Sequence, residues 1–283
     1  MNTQSLDSLR QRPHWSFSQI NGLVNHCSLK WAFRYAYDEE PEFTPSALVF
    51  GSVFHQALSF ACGRRASAKE VTAEECGDVF ADLFTDNVKE SEPVVKFNDG
   101  EAADAMIAQG RQMIGAWFGG TDPDEEILSI GVLFSVPLTD RHRQVLERPL
   151  IGEFDLVVRK DHALTIVDWK TSARRWPEGQ ADSDLQPVCY SYAHWKSTGE
   201  LPAFRFDVVT KTKTPALVRY ETRRTLEDAL RLVETVRVLE RMIKAECFFP
   251  QDGSRECGSC PYGAACRAWH QRRSVRHFTL KAA

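Results

Sequence analysis

Three residues set the first question: Asp155, Asp168 and Lys170. They lie in Gly152-Glu153-Phe154-Asp155-Leu156-Val157-Val158 and in Ile166-Val167-Asp168-Trp169-Lys170-Thr171. Side chains two apart on a strand share a face, so Asp168 and Lys170 point the same way. If a hairpin closes tightly around Asp161 and His162, Asp155 falls opposite Asp168, with side chains about 5 Å apart. Facing carboxylates repel unless something compensates them, and a divalent cation does so. Their hard oxygen donors suit Mg²⁺ or Mn²⁺. Such an ion activates water and stabilises negative charge on a phosphodiester in its transition state. Lys170 is placed to orient the attacking water or to neutralise that charge. The same spacing also fits a ladder of surface salt bridges. The apolar neighbours Ile151, Phe154, Leu156, Val157, Ile166 and Val167 place the charges close to a core.

A second cluster closes the chain: Cys257-x-x-Cys260-x5-Cys266. Three thiols so close together signal a metal more than packing. Two ligand sets compete. His270 completes a local Cys₃His zinc site, a spacing that zinc uses. Alternatively, Cys27 joins from the far end of the chain to give a Cys₄ iron–sulfur site. Spacing alone favours zinc. Cys62, Cys76, Cys189 and Cys247 are scattered and read as small buried hydrophobes.

These residues need elements to hold them. Ser16 or Ser18 is placed to cap a helix running to Asn25, and Ser28 to Tyr37 forms a second. Asp38 to Pro45 reads as a loop. Leu48 to Gly63 reads as a buried helix carrying His55; Lys69 to Lys89 and Ala102 to Phe118 carry helical apolar stripes. Alternation from Leu128 to Val136 predicts a strand, as do Ile151 to Val158 and Leu164 to Trp169, joined at Arg159–His162. A helix from Asp184 to Ser197, stopping at Gly199, precedes strands at Phe204–Thr210 and Ala216–Glu221. Thr225 to Ala245 is a long helix, with Thr225 and Asp228 at capping-box positions. Helices, then a β-rich core with one helix inside it, then a helix make an α/β or α+β domain.

The 283 residues suffice for one large or two modest domains. Net charge is −4, which offers no global basic signature for nucleic acid. Phosphate affinity would have to come from local groups such as Arg141–Arg143, Arg174–Arg175, Lys211–Lys213, Arg223–Arg224 and Arg272, Arg273 and Arg276. No run approaches the roughly 20 apolar residues of a membrane span, and Met1 to Trp15 is polar, so a cytoplasmic location is expected. No phosphate-binding Gly-x-x-x-x-Gly-Lys-Ser/Thr loop of a motor is present.

The order Gly51-x-x-x-His55, Gly152-x-x-Asp155, Asp168-x-Lys170 and Gln186-x-x-x-Tyr190 resembles the RecB-like branch of the PD-(D/E)XK nuclease superfamily. The opening FSQINGLVNHCSLKWAFRY before FGSVFHQAL is also similar to that branch. The resemblance implies an α/β fold: a restriction-endonuclease-like core, with a mixed central sheet flanked by helices, a helical insertion and a C-terminal cysteine cluster. It divides the chain into N-terminal helices at 1–63, the insertion at 64–125, the nuclease core at 126–224 and a C-terminal helix with the cysteine segment at 225–283. It implies that His55, Asp155, Asp168 and the Trp169 carbonyl bind Mg²⁺ or Mn²⁺, with Lys170 catalytic. Gln186 and Tyr190 would line the site and contact DNA, and Gly51 would let the His55 helix pack closely. Iron–sulfur members, among them AddB-type nucleases and CRISPR-associated exonucleases, pair one early cysteine with three late ones. By that likeness Cys27, Cys257, Cys260 and Cys266 hold a structural [4Fe–4S] cluster. The activity implied is DNA exonuclease action on single-stranded or free ends, in recombination, repair, CRISPR adaptation or phage DNA processing. A helicase or CRISPR adaptation partner fits the same likeness. One departure supports a second reading, a catalytically degenerate DNA-binding or scaffold subunit. Gly131 stands where the family often carries a supporting glutamate. Glu153 is expected to point away from Asp155 and so not to replace it.

Overall fold

A computed structural model describes residues 5–271. Three N-terminal helices come first: α1 (Leu6–Arg10), α2 (Phe17–Val24) and α3 (Ser28–Tyr35). Ser16 caps α2, accepting the Gln19 N–H. A two-residue strand β1 (Thr44–Pro45) leads into α4 (Ser46–Ala66), then α5 (Ala73–Glu90), β2 (Val95–Lys96) and α6 (Ala103–Gly120). β1 and β2 pair in parallel.

The main sheet follows: β3 (Glu126–Val136), β4 (Leu150–Lys160) and β5 (Ala163–Ser172), then α7 (Gln180–Ser183), α8 (Gln186–Thr198), β6 (Ala203–Thr210) and β7 (Leu217–Arg223). Its order is β3-β4-β5-β6-β7. Only β5 and β6 run parallel, because α7 and α8 form the crossover between them; the other pairs are antiparallel. This is the mixed sheet flanked by helices that the resemblance implied. The chain then forms α9 (Leu226–Lys244), a 3₁₀ turn at Arg255–Ser259 and α10 (Gly263–Gln271). The Thr225–Asp228 capping box is formed in full.

Two buried clusters hold the sheet. One gathers α2, α3, α8 and α9 against Phe134, Ile166, Phe204, Phe206 and Val208. The other packs α4, α5 and α6 on Leu156, Val158, Val167, Trp169 and Val209. Ile166 and Val167 go to opposite clusters, so β5 is covered on both sides. Each such side chain contributes about 1.5–3 kcal/mol on burial.

α4 is long and apolar enough to cross a membrane by length and composition, although no sequence run suggested this. Half of that stretch is buried inside the protein, which marks it as a core helix. The chain ends are tied together. Ser28 Oγ donates to the Phe249 carbonyl at 3.0 Å and accepts the Phe249 N–H at 3.0 Å, while the Leu29 N–H donates to the same carbonyl at 3.2 Å.

Candidate active site at the fork of a hairpin

The β4–β5 turn is two residues long, with Asp161 at φ 48° and His162 at φ 65°. Both central residues in the left-handed region make the tight hairpin turn whose twist matches the strands. The register that results pairs Lys160 with Ala163 and runs to Leu156 opposite Val167. Asp155 and Asp168 occupy the next step, where the ladder opens. The hairpin thus brings the two aspartates together in the anticipated register. Asp155 Oδ2 accepts the Trp169 N–H at 3.0 Å, so a side chain takes a backbone bond at the fork.

Helices on the two sides of the sheet reach this fork. From α4, His55 Nδ1 comes within 3.1 Å of Asp155 Oδ2, with its ring edge-on to Trp169. From the start of α8, the Gln186 side-chain amide donates to Asp168 Oδ1. Lys170 Nζ stands 2.6 Å from Asp168 Oδ2, an oxygen with no regular hydrogen bond besides this ion pair. Tyr190, one turn beyond Gln186, packs against Phe134, Phe154 and Phe204, so its ring serves the core beneath the site.

The electrostatics follow from burial. Asp168 is 2% exposed. Burial, reinforced by Asp155, pushes its carboxyl up to about 6 against the pull of Lys170 and His55. Burial also pushes Asp155 up, but His55, Lys170 and the Trp169 N–H outweigh it and hold that carboxyl below its usual value. His55 is raised: burial acts against its charged form, yet Asp155 more than offsets this. Lys170 is raised for the same reason, by Asp168 and Asp155. Neighbouring carboxylates with separated affinities are a common feature of sites that move protons.

Two glycine expectations resolve differently. Gly51 does not allow close packing of α4: a Cβ there would meet nothing within 4 Å. Gly152 is the close approach, since a Cβ would lie 2.5 Å from the Phe134 ring. Glu153 does not point away from Asp155. Residues two apart on a strand share a side, and Glu153 is close enough to Asp155 and His55 to feel both charges. Gly131 lies on β3 between the pairs Ile130–Leu156 and Val132–Phe154, which places it across from Asp155.

The cysteines divide as follows. Cys27, Cys257, Cys260 and Cys266 line one pocket of about 300 Å³, together with His270. Cys260 and Cys266 each feel Cys27 and Cys257 electrostatically. His270 Nε2 is engaged at 3.3 Å by Asp252. Cys62, Cys76 and Cys189 are buried as expected, whereas Cys247 is exposed. Among the described residues, no three His, Cys, Asp or Glu side chains converge tightly enough to grip an ion as they stand. The donor chemistry fits nevertheless. Two aspartates and an imidazole suit a hard divalent cation; Asp168 Oδ2 is held by Lys170 alone, and the buried Gln186 Oε1 lacks a hydrogen bond.

The basic patches are mostly committed elsewhere. Arg224 is buried and donates to the carbonyls of Ala181, Asp182 and Asp184, bracing the approach to α8. Arg141 pairs with Glu227. Lys211 lies over the Phe50 ring. Arg272, Arg273 and Arg276 lie outside the described residues.

A profile of the PD-(D/E)XK nuclease superfamily matches residues 14–267. No curated protein matches the sequence. The fold is similar to the crystal structure of a protein described as a "putative exonuclease" from Eubacterium rectale. The TM-score is 0.55 at 14% identity, over 98% of this chain and 95% of that one. The crystal structure of SSO0001 is less alike, with TM-score 0.34 and 13% identity over 85% of this chain and 92% of that one. At these identities the likeness concerns the fold.

Proposed function

The chain belongs to the PD-(D/E)XK nuclease superfamily, and on that premise we propose that it is a divalent-metal-dependent deoxyribonuclease, an exonuclease acting on single-stranded or free DNA ends. The observation that carries this reading is the fork itself, where the His55–Asp155 pair and the Lys170–Asp168 pair meet at the open end of one hairpin. His55, Asp155, Asp168 and the Trp169 carbonyl would hold Mg²⁺ or Mn²⁺. The ion, when bound, supplies a lowered pKa for attacking water and neutralises charge on the phosphate.

The chain's own residues account for the rest. Hydrolysis joins the water oxygen to phosphorus, breaks a P–O bond to the neighbouring nucleotide and delivers a proton to the leaving oxygen. Lys170 keeps its ammonium charged through its aspartate neighbours, and so donates hydrogen bonds to the attacking water or the phosphate oxygens. Gln186 fixes Asp168 in one orientation, as the Trp169 N–H and His55 fix Asp155. Burial of Asp168 lowers the local dielectric, so each of these interactions counts for more than in water. In this reading Gln186 acts through Asp168, and Tyr190 supports the start of α8 from the core beneath it.

The shared pocket that Cys27, Cys257, Cys260 and Cys266 line supports a [4Fe–4S] cluster held by these four residues, with a structural role. A cytoplasmic setting belongs to the same reading.

The test is degradation of labelled single-stranded DNA with Mn²⁺ by the wild-type protein and by Asp168→Ala and Lys170→Ala. Metal-dependent cleavage that both variants lose supports the reading. DNA binding by the wild type with no metal-dependent cleavage would establish the scaffold reading that Gly131 suggested.

A further inference from the structure

The place of Gly131 is filled by another residue. Gly131 faces Asp155 across the β3–β4 ladder, so a side chain there would lie beside that aspartate. Its backbone has φ +62°, a conformation in which glycine is favoured and a side chain is strained. The Glu153 carboxylate reaches into the vacated ground: its Oε1 lies 3.0 Å from where a Gly131 Cβ would stand. Glu153 is thus directed across Asp155 towards β3. Such an arrangement crowds like charge. A cation bound at Asp155 would relieve the repulsion.

Resting on the nuclease reading above, we propose that Glu153 is the third carboxylate of the metal site, delivered from β4 into the space that Gly131 leaves on β3. The carboxylate is moved from one strand to its neighbour, and the glycine and the glutamate are two halves of one exchange. The supporting-glutamate function is therefore retained, and the departure at Gly131 is not a sign of degeneracy. The buried Gln186 Oε1 in the same site lacks a hydrogen-bond partner and independently calls for a positively charged or donating ligand there.

The experiment titrates Mn²⁺ into the full-length wild type, E153Q, E153D and D155N. Free Mn²⁺ is followed by electron paramagnetic resonance, thermal midpoints report the fold, and cleavage is measured across metal concentrations. Glu153 is only half-buried and Gln is nearly isosteric, so E153Q should fold. The expected result is Mn²⁺ affinity weaker by at least about tenfold in E153Q, the scale at which supporting groups of metal sites act. Cleavage by E153Q should be recovered at high Mn²⁺, with E153D intermediate. Wild-type affinity in E153Q, with binding lost in D155N, would overturn the proposal and leave the nuclease reading standing. A wild-type protein that neither binds Mn²⁺ nor cleaves DNA overturns both.

Discussion

Asp168 should make the metal-free protein less stable as pH rises through the weakly acidic range. Its carboxyl titrates near 3.8 when solvated and at about 6 in the fold. Between those values the native state binds a proton that the unfolded chain has released. The unfolded state holds fewer protons, so stability falls with rising pH in this window and is flat above it. A shift of this size weakens the fold by about 3 kcal/mol in full. From about pH 4.5 to 7 the part that develops is roughly 2 kcal/mol. Burial also raises the Asp207 carboxyl, so the quantity to read is a difference. Urea unfolding of wild type and Asp168→Asn in EDTA at about pH 4.5, 5.5 and 7 isolates it. Asn at 168 does not titrate, so the pH dependence of the difference reports Asp168, its ion pair with Lys170 included. The wild type should lose about 2 kcal/mol relative to the variant across the series, and saturating Mg²⁺ should shrink or reverse that trend. Parallel pH profiles in EDTA would refute the reasoning.

Further outcomes follow from single contacts. Gly152→Ala places a methyl group 2.5 Å from Phe134, so it should cost about 1–3 kcal/mol by overpacking and lower cleavage by displacing Asp155; chemical denaturation and a metal-dependent nuclease assay read both. Cys27→Ser should strip iron and brown colour from anaerobically purified protein, while His270→Ala leaves them intact; metal analysis showing the opposite pattern, with zinc bound, would reverse the ligand assignment. Thr225→Ala removes a capping bond and should cost about 1 kcal/mol without changing metal affinity, as seen by denaturation beside Mn²⁺ titration.

The hairpin was legible because its register is local. A two-residue turn and a rigid period of two carry Asp155 to Asp168 with no tertiary information, and the Thr225 cap and the Gly199 stop are equally local. His55 was different: it stands about a hundred positions earlier on an apolar helix, and only the family likeness singled it out. Glu153 was misread although its signal was present, since the period of two that groups Asp168 with Lys170 groups Glu153 with Asp155 as well. No sequence signal marks Arg224 as a buried brace, because its partners are backbone carbonyls over forty positions away. The α10 helix was hidden behind its cysteines, which drew attention to ligation and away from the helical run Gly263–Gln271.

The exchange of hydrogen bonds between Ser28 and Phe249 bears on how the chain is made. A ribosome delivers Ser28 early and Phe249 more than two hundred residues later. Until then, α3 lacks the surface that Trp31 stacks upon, which is Phe248. The opening helices must therefore wait, half-assembled, for the closing segment. Contacts of such long sequence separation slow folding and leave apolar surface uncovered in the interval. Newly made protein should pass through a stage with a formed hairpin and a loose front end. The clasp can close only once Phe249 has been made, and it sets Cys27 in the pocket that Cys257, Cys260 and Cys266 also line.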